Sequence, residues 1–508
     1  MLEVTVFLGG ALVMVLEMVG ARVLAPHVGT SAVVWTSLIG VVLACLALGA
    51  WAGGRYADKS LSRAGLGRIL LGAGLGCALT ACFNGVAGSI AQGLGNIYLA
   101  AVAAALAVFA LPALFCGMLS PYVIRLRIAS VDTAGATVGR LYALSTAGSI
   151  LGTFLGGFVL ISFWGSQTIL WGVSLAFLVL SLANDRQRPL LRLLLLVGCL
   201  LLAVLGNQRE GWLAENSGQR LVESPYNSIR ISEGVDRNKA DSPVRLMATD
   251  PGYSQSGMLL DAPEELYFHY TRFYALGPRF VPGANSVLML GGGGYSVPKW
   301  PFSDKSGLAG QGLEVCVVEL DPAMTDTARR WFGLADREGL EIRHEDARAF
   351  LNRQQRQFDL VFVDVFNSHY SVPFQMGTLE AAAGLRRAVA PGGALLMNVI
   401  SAVEGEDGRL FRSIWHALAA HFAEVRVFCV SRPDRPDMVQ NLMLLALPEA
   451  GRPVRPAARA ADATADPPAA EVDAMLACQY AQPIAQDVPP LSDDFAPVER
   501  YAMMLLRQ

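Results

Sequence analysis

Four places in one stretch of the chain carry residue types that could hold and activate a small molecule. They are the glycines Gly291, Gly292, Gly293 and Gly294 in SVLMLGGGGYS, Glu319 in VCVVELDP, Asp346 with Ala347 in IRHEDARAFL, and Asp364 in FDLVFVDVFN. Glycine lets a backbone approach a ligand closely, and the helix start that follows would offer free N–H groups. An acid about 20–26 residues beyond such a turn is placed to hydrogen-bond a pair of ribose hydroxyls. A glycine run alone reads as a structural turn. The ordered set Gly, Glu, Asp, Asp at four strand ends reads instead as a nucleoside site, on the edge where open α/β sheets bind ligands.

The elements that must position these residues follow from the apolar runs. Ser286–Leu290 and Leu313–Leu320 read as buried parallel strands, a third strand precedes Asp346, and a fourth covers Asp359–Asp364. Upstream, Leu221–Ser232 alternates as a strand does, with Arg245–Thr249 and Ser256–Leu260 as hairpin strands. Pro263–Leu276 (PEELYFHYTRFYAL) reads as an aromatic-rich helix with His269 and Tyr270 at its centre, either a core stripe or a lid over the glycine turn. Downstream come a helix, a Pro-Gly-Gly turn, the strand Ala394–Val399 and a terminal hairpin of Glu424–Val430 with Gln440–Ala446. Arg452–Pro468 reads as a linker or loop. The tail DDFAPVERY brings two acids that could return to the site.

The first 206 residues are of another kind. Seven stretches, roughly 4–25, 32–54, 66–88, 96–118, 138–162, 165–183 and 189–206, approach the ~20 apolar residues that span a bilayer. The first is too long, and too closely followed by others, for a cleaved signal peptide. An integral, multi-pass protein of the cell inner membrane is expected. Arg55, Lys59, Arg63 and Arg68, then Arg125, Arg127 and Arg140, then Arg186, Arg188 and Arg192 fall in alternate connections. The positive-inside rule puts those connections and the N-terminus in the cytoplasm, so seven crossings leave the soluble part outside. That placement conflicts with an enzyme drawing on a cytosolic nucleoside. Gly148, Gly152 and Gly156 suit close helix packing, internal rather than in a homodimer, which stays the alternative. Glu17 lies inside the first span, with Arg22 as a candidate partner, and Pro112 is expected to kink the fourth.

Charge excludes one class of partner. The first 206 residues hold 11 Lys+Arg against 5 Asp+Glu, leaving 29 against 38 for the rest of totals of 40 and 43. An acidic soluble part lacks the footprint of a nucleic-acid binder and suits a cationic substrate. The 8 cysteines form no CxxC or Cys/His pattern, so neither a metal site nor a disulfide scaffold is expected.

With these residues in place, the soluble part resembles spermidine synthase and related aminopropyltransferases. The whole chain is similar to bacterial membrane proteins in which a multi-helix domain is fused to a spermidine synthase-like domain. ESPYNSIRI resembles that family's N-terminal strand, GGGGYS its glycine turn, VVELDP its ribose-binding strand, EDARAFL its adenine-side motif and FVDVFN its catalytic loop. LEMVGARVLAP and LALGAWAGGRYADK resemble the first two helices of the fused proteins. The resemblance implies a fold: an α-helical multi-pass membrane domain (1–206), a small β region with the aromatic helix (207–280), and an α/β Rossmann-like domain with seven strands of the class I methyltransferase/spermidine synthase type (281–508). It also implies decarboxylated S-adenosylmethionine as donor and an amine, putrescine-like or membrane-associated, as acceptor. Glu319 would hold the ribose, Asp346 and Ala347 the adenine edge, and Gly291, Gly292 and Gly293 the turn beneath the donor chain. Asp364 would be the base, with Gln255, His269, Tyr270 and Asn367 near the acceptor.

Two positions depart from the family's pattern. Gly294 stands where the soluble enzymes carry an acid, and Asn367 stands where they carry a second acid beyond the catalytic one. The alternatives are a methyltransferase or other transferase using S-adenosylmethionine, and a transporter or sensor that binds a polyamine or nucleoside.

Overall fold

In the computed structural model every residue is described except 29–31, 84–85, 95, 129–133, 186, 188, 217, 237–240, 250–253, 309–311, 366–372, 455–466, 499 and 502–508. The chain forms two compact units, Met1–Gln219 with Glu223–Pro225, and Arg220–Val222 with Tyr226–Gln508.

The first unit is helical. Among the described residues, 7 helices are long and apolar enough to cross a membrane: Leu2–Ala25, Ala32–Lys59, Arg63–Phe83, Tyr98–Arg127, Ala134–Phe163, Ser166–Asn184 and Pro189–Gly206. The third ends at Phe83, short of the expected 88, and Val86–Gly93 is a separate helix of 8 residues. At about 12 Å it cannot cross a ~30 Å hydrocarbon layer. The last helix runs on to Asn216 as one element, past the expected end at 206.

Small residues set the helix spacing. A Cβ on Gly148 would strike the carbonyl oxygen of Phe7, and one on Gly152 that of Ala11. These glycines therefore let the helix from Ala134 lie directly on the first helix, an internal use of the repeat. Pro112 sits inside its helix and against Gly76, where an added Cβ would lie 3.0 Å from Pro112 Cα. Arg22 turns to Glu223 at 3.6 Å and donates to the carbonyls of Ile161 and Ser224. Glu17 has no ion-pair partner among the described residues.

Next along the chain comes a small sheet in the order β1 (Gln219–Glu223), β2 (Ser228–Asp236), β3 (Ser242–Ala248) and β4 (Ser256–Leu259). The single strand expected over Leu221–Ser232 is split around Pro225, whose missing N–H cannot serve a ladder. Seven further strands make the main sheet: β5 (Ser286–Leu290), β6 (Glu314–Glu319), β7 (Leu340–His344), β8 (Phe358–Val363), β9 (Val389–Ser401), β10 (Glu424–Cys429) and β11 (Gln440–Leu447). Their order is β10-β11-β9-β8-β5-β6-β7. β5 to β9 pair in parallel, and β11 joins β9 and β10 antiparallel. This is a Rossmann-like methyltransferase/spermidine synthase fold, with chain order reversing between β5 and β8.

Alternation within β5 explains why its run is wholly apolar. Val287 and Met289 pack in one core with Met324, Ala328 and Phe273, whereas Leu288 and Leu290 pack in the other with Phe350, Leu385 and Ile414. A strand covered on both faces has no polar side. Its polar business is confined to its ends, which is where the candidate residues lie.

The aromatic helix differs from expectation. Residues 263–268 are not helical; an α-helical turn covers His269–Arg272, a 3-10 turn Phe273–Ala275, and a further α turn Leu276–Phe280. His269 and Tyr270 thus begin the helical segment instead of sitting at its centre. Tertiary contacts override the local preference here: the Tyr267 ring packs over Gly257 of β4, and Arg272 donates to the Leu266 carbonyl at 3.2 Å.

Candidate active site

The glycine turn leaves β5 under tight constraint. Gly291 has φ +94°, and a Cβ there would strike the carbonyl oxygen of Asp364. Only glycine meets both demands. Gly291 N–H donates to Val318 O and Asp364 N–H to Leu290 O, both at 2.9 Å, so the ends of β5, β6 and β8 are tied together.

Glu319, at the end of β6, is only 8% exposed. Its Oε2 accepts from the N–H groups of Gly292 (2.8 Å) and Gly293 (3.3 Å), and its Oε1 from Asp321 (2.8 Å). The turn's N–H groups, expected to be free, are therefore directed onto this acid. Burial pushes the Glu319 carboxyl up, and the three N–H donors pull it back. The donors favour the charged form and fix both oxygens.

The third N–H of the turn, from Gly294, goes to Ser256 Oγ at 2.8 Å. A Cβ on Gly294 would lie 2.8 Å from Ser256 Cβ. The space a side chain would need at Gly294 is occupied by β4. Tyr295 closes the turn in the left-handed region at φ +59°, uncommon for a residue with a side chain. Its hydroxyl meets Thr325 Oγ1 at 2.6 Å, and Thr325 meets His344 Nε2 at 2.9 Å. Tyr295 was not singled out from the sequence.

Asp346 caps the helix Ala347–Arg353, its Oδ1 accepting from Ala349 N–H at 2.9 Å. Ala347 is the first residue of that helix and is half-buried. The next residue, Arg348, donates to Asp493 of the tail at 2.7 Å, and Thr378 donates to the same carboxylate at 2.8 Å. The tail thus reaches the helix that Asp346 caps.

Asp364 follows β8 and is half-buried. Its Oδ1 accepts from Asn398 Nδ2 at 3.0 Å and its Oδ2 from Tyr270 Oη at 3.2 Å. Burial pushes its carboxyl up to about 6, against the lowering pull of Asn398 and Tyr270. A carboxylate with that value is ionised at neutral pH yet basic enough to take a proton from a bound ammonium. Burial and the neighbouring carboxylate push the Tyr270 hydroxyl well above its usual range, so it stays a donor.

The other expected acceptor residues divide. Gln255 lies beside Tyr270, whose Oη is 3.5 Å from the Gln255 carbonyl, and its Oε1 accepts from Thr249 at 2.6 Å. Gln255 Nε2 is buried with no hydrogen-bond partner among the described residues, so it offers a bound molecule a donor. His269 is exposed, its ring edge-on to Phe273. Asn367 lies outside the described residues. The structure brings together Gly291, Gly292, Gly293, Glu319, Asp364 and Tyr270. Asn398 is added, buried in β9 and missed from the sequence; a lone amide inside the apolar run ALLMNVIS was the signal that could have found it.

No family model matches the chain. A polyamine aminopropyltransferase of Vibrio vulnificus is 25% identical over 162 residues, covering 30% of this chain and 50% of its own length. A probable polyamine aminopropyl transferase of Bifidobacterium longum is 23% identical over 214 residues, 42% of this chain and 44% of its own length. The chain thus spans about half the length of the curated relatives it matches. Among solved structures, a probable spermidine synthase from Corynebacterium glutamicum is 24% identical with a TM-score of 0.39, covering 45% of this chain and 80% of that one. A spermidine synthase from Thermotoga maritima is 16% identical with a TM-score of 0.36, covering 47% and 75%. The curated relatives point to a spermidine synthase-like aminopropyltransferase domain, here in a chain whose N-terminal region has many apolar helices.

Proposed function

We propose that this chain is a transferase moving an aminopropyl group from decarboxylated S-adenosylmethionine to an amine, with Asp364 as base. The observation that carries the reading is Asp364 itself: a carboxylate with a raised proton affinity, held by Tyr270 and Asn398 against the glycine turn. An ammonium has no lone pair, so an acid must first collect its proton and then aim the nitrogen. The nitrogen forms a bond to the methylene next to the donor's sulfonium. The carbon–sulfur pair leaves with sulfur, giving neutral methylthioadenosine, and the proton stays on Asp364.

Glu319 would hold the ribose diol, exchanging part of its bonding to Gly292 and Gly293 for the hydroxyls. Asp346 and Ala347 would flank the adenine, and Gln255, His269, Tyr270 and Asn367 the acceptor. No metal is required by this chemistry. The acceptor would be an amine other than putrescine, a membrane-associated one, because Gly294 and Asn367 remove two acids suited to a second ammonium. Full activity on putrescine would count against that choice. We further propose residence in the cell inner membrane through the seven apolar helices, with 1–206 as membrane domain, 207–280 as the small β region and 281–508 as the catalytic domain.

Isothermal titration of the detergent-solubilised full chain tests the donor. Decarboxylated S-adenosylmethionine should bind more tightly than S-adenosylmethionine, and Glu319→Ala should abolish binding. Preference for the carboxylated donor would transfer the reading to methyl or related transfer, and no binding of either would leave a transporter or sensor.

A further inference from the structure

Asp364 is held by a chain of amides that reaches across two strands. Asn398 Nδ2 donates to Asp364 Oδ1 at 3.0 Å, and Asn441 Nδ2 donates to Asn398 Oδ1 at 3.0 Å. Asn398 lies in β9, 1% exposed, and Asn441 lies in β11, where it faces Ile400 in the ladder. The orientation of each amide follows from chemistry. An ionised carboxylate only accepts, so the Asn398 atom that faces it must be the NH2 group. The Asn398 oxygen then faces Asn441, which must in turn present its own NH2. An amide freed from that second bond could turn its carbonyl towards Asp364 and repel it.

We infer that Asn441, which does not touch Asp364, is a positioning residue for the candidate base: it locks the Asn398 amide so that Oδ1 of Asp364 is permanently an acceptor. The consequence is directional. With Oδ1 committed, the transferred proton can reside only on Oδ2, the oxygen that faces Tyr270. Tyr270 Oη donates to that oxygen in the ionised state and must accept from it once the proton has arrived. The titratable groups facing Asp364 among the described residues are the hydroxyls of Tyr270 and Tyr274. Tyr274 Oη is occupied on Val363 O at 2.9 Å, so Tyr270 is the one positioned to exchange roles. An acid–amide–amide relay needs both asparagines in neighbouring strands, which the β9–β11 pairing supplies.

The inference rests on reading Asp364 as the base, but its test does not use turnover. The protonation of Asp364 in the full-length protein can be followed by infrared spectroscopy, through the carboxyl band that Asp364→Asn removes. Asn441→Leu keeps the volume and removes the donor, and should raise the titration of Asp364 by about one unit. Asn441→Ser, which retains a donor, should bring it back towards the wild-type value. In an Asn398→Leu background the Asn441→Leu change should have no further effect, because the link is already cut. An unchanged titration in folded Asn441→Leu, or the same shift with and without Asn398, would overturn the relay. Should Asn441→Leu fail to fold, the smaller Asn441→Ala and Asn398→Ala changes, which also remove the donor, support the same cycle. Lack of amine transfer with the shift intact would instead sink the proposed activity and leave the relay standing.

Discussion

The chemistry at the residue scale turns on how far Asp364 departs from an ordinary carboxyl. Its value moves from 3.8 to about 6 because burial disfavours the charge, and two hydrogen bonds compensate only in part. The sign of the stability effect follows. Between pH ~4 and ~6 the folded protein keeps a proton that the unfolded chain has lost, so stability falls as pH rises through that window and is level above it. Asp364→Asn should therefore be more stable than wild type at pH 7, by up to about 3 kcal/mol, and little different at pH 4. Transfer should rise with pH through about 6 in wild type and drop by a factor of about 10²–10⁴ in the variant. Thermal unfolding at the two pH values and a pH–rate profile check both; a wild-type profile flat between pH 5 and 7 would remove Asp364 as the base. The positions of Glu319 and Asp364 at strand ends were legible because each closes a short apolar run. Asn398 was not, since a mid-strand amide reveals its purpose only when the partner strand is known.

The glycine turn shows what a single element decides. Its first glycine is compelled by φ +94° and by the Asp364 carbonyl, where the sequence run alone announced only a turn. The role of Gly294 could not be read, because its neighbour Ser256 is 38 residues earlier and comes from the other sheet. The 2.8 Å between Ser256 Cβ and a Cβ on Gly294 implies that Gly294→Asp is overpacked and costs about 1–3 kcal/mol. Ser256→Gly removes the obstructing atom, so the double variant should unfold at a higher temperature than Gly294→Asp alone. If Gly294→Asp were as stable as wild type, β4 would place no steric limit on this position. The aromatic helix was misjudged for a related reason. Its first half satisfies helical periodicity, but the Tyr267 ring packs over Gly257 and the Leu266 carbonyl accepts from Arg272, which suits the non-helical course of residues 263–268. Local pattern is outvoted wherever a short element is pinned from both sides.

At the scale of the whole chain the odd number of long helices has a definite consequence. Helix existence was legible, since 18 or more apolar residues leave few alternatives; the helix boundaries were not, and Val86–Gly93 emerged as a separate, short piece. That piece cannot add a crossing. Were the 7 candidate helices among the described residues all to cross, the basic residues in alternate connections would predict, by the rule of positive charge inside, that the chain beyond the last of them lies on the face opposite the N-terminus. The placement can be read with a thiol. Cys316 and Cys429 are buried, which leaves Cys478 as the partly accessible cysteine of the second unit. In a background with Cys82→Ser and Cys478→Ser, Asp437→Cys introduces an exposed thiol in the turn before β11. A membrane-impermeant maleimide should label it in intact spheroplasts as fully as in permeabilised ones. That result would oblige the donor to cross the membrane before use, and would favour an acceptor met at the outer face. Labelling only after permeabilisation would mean that one of the seven helices lies within the membrane without crossing it, and would return the site to the cytosolic donor that the proposed chemistry most simply draws on.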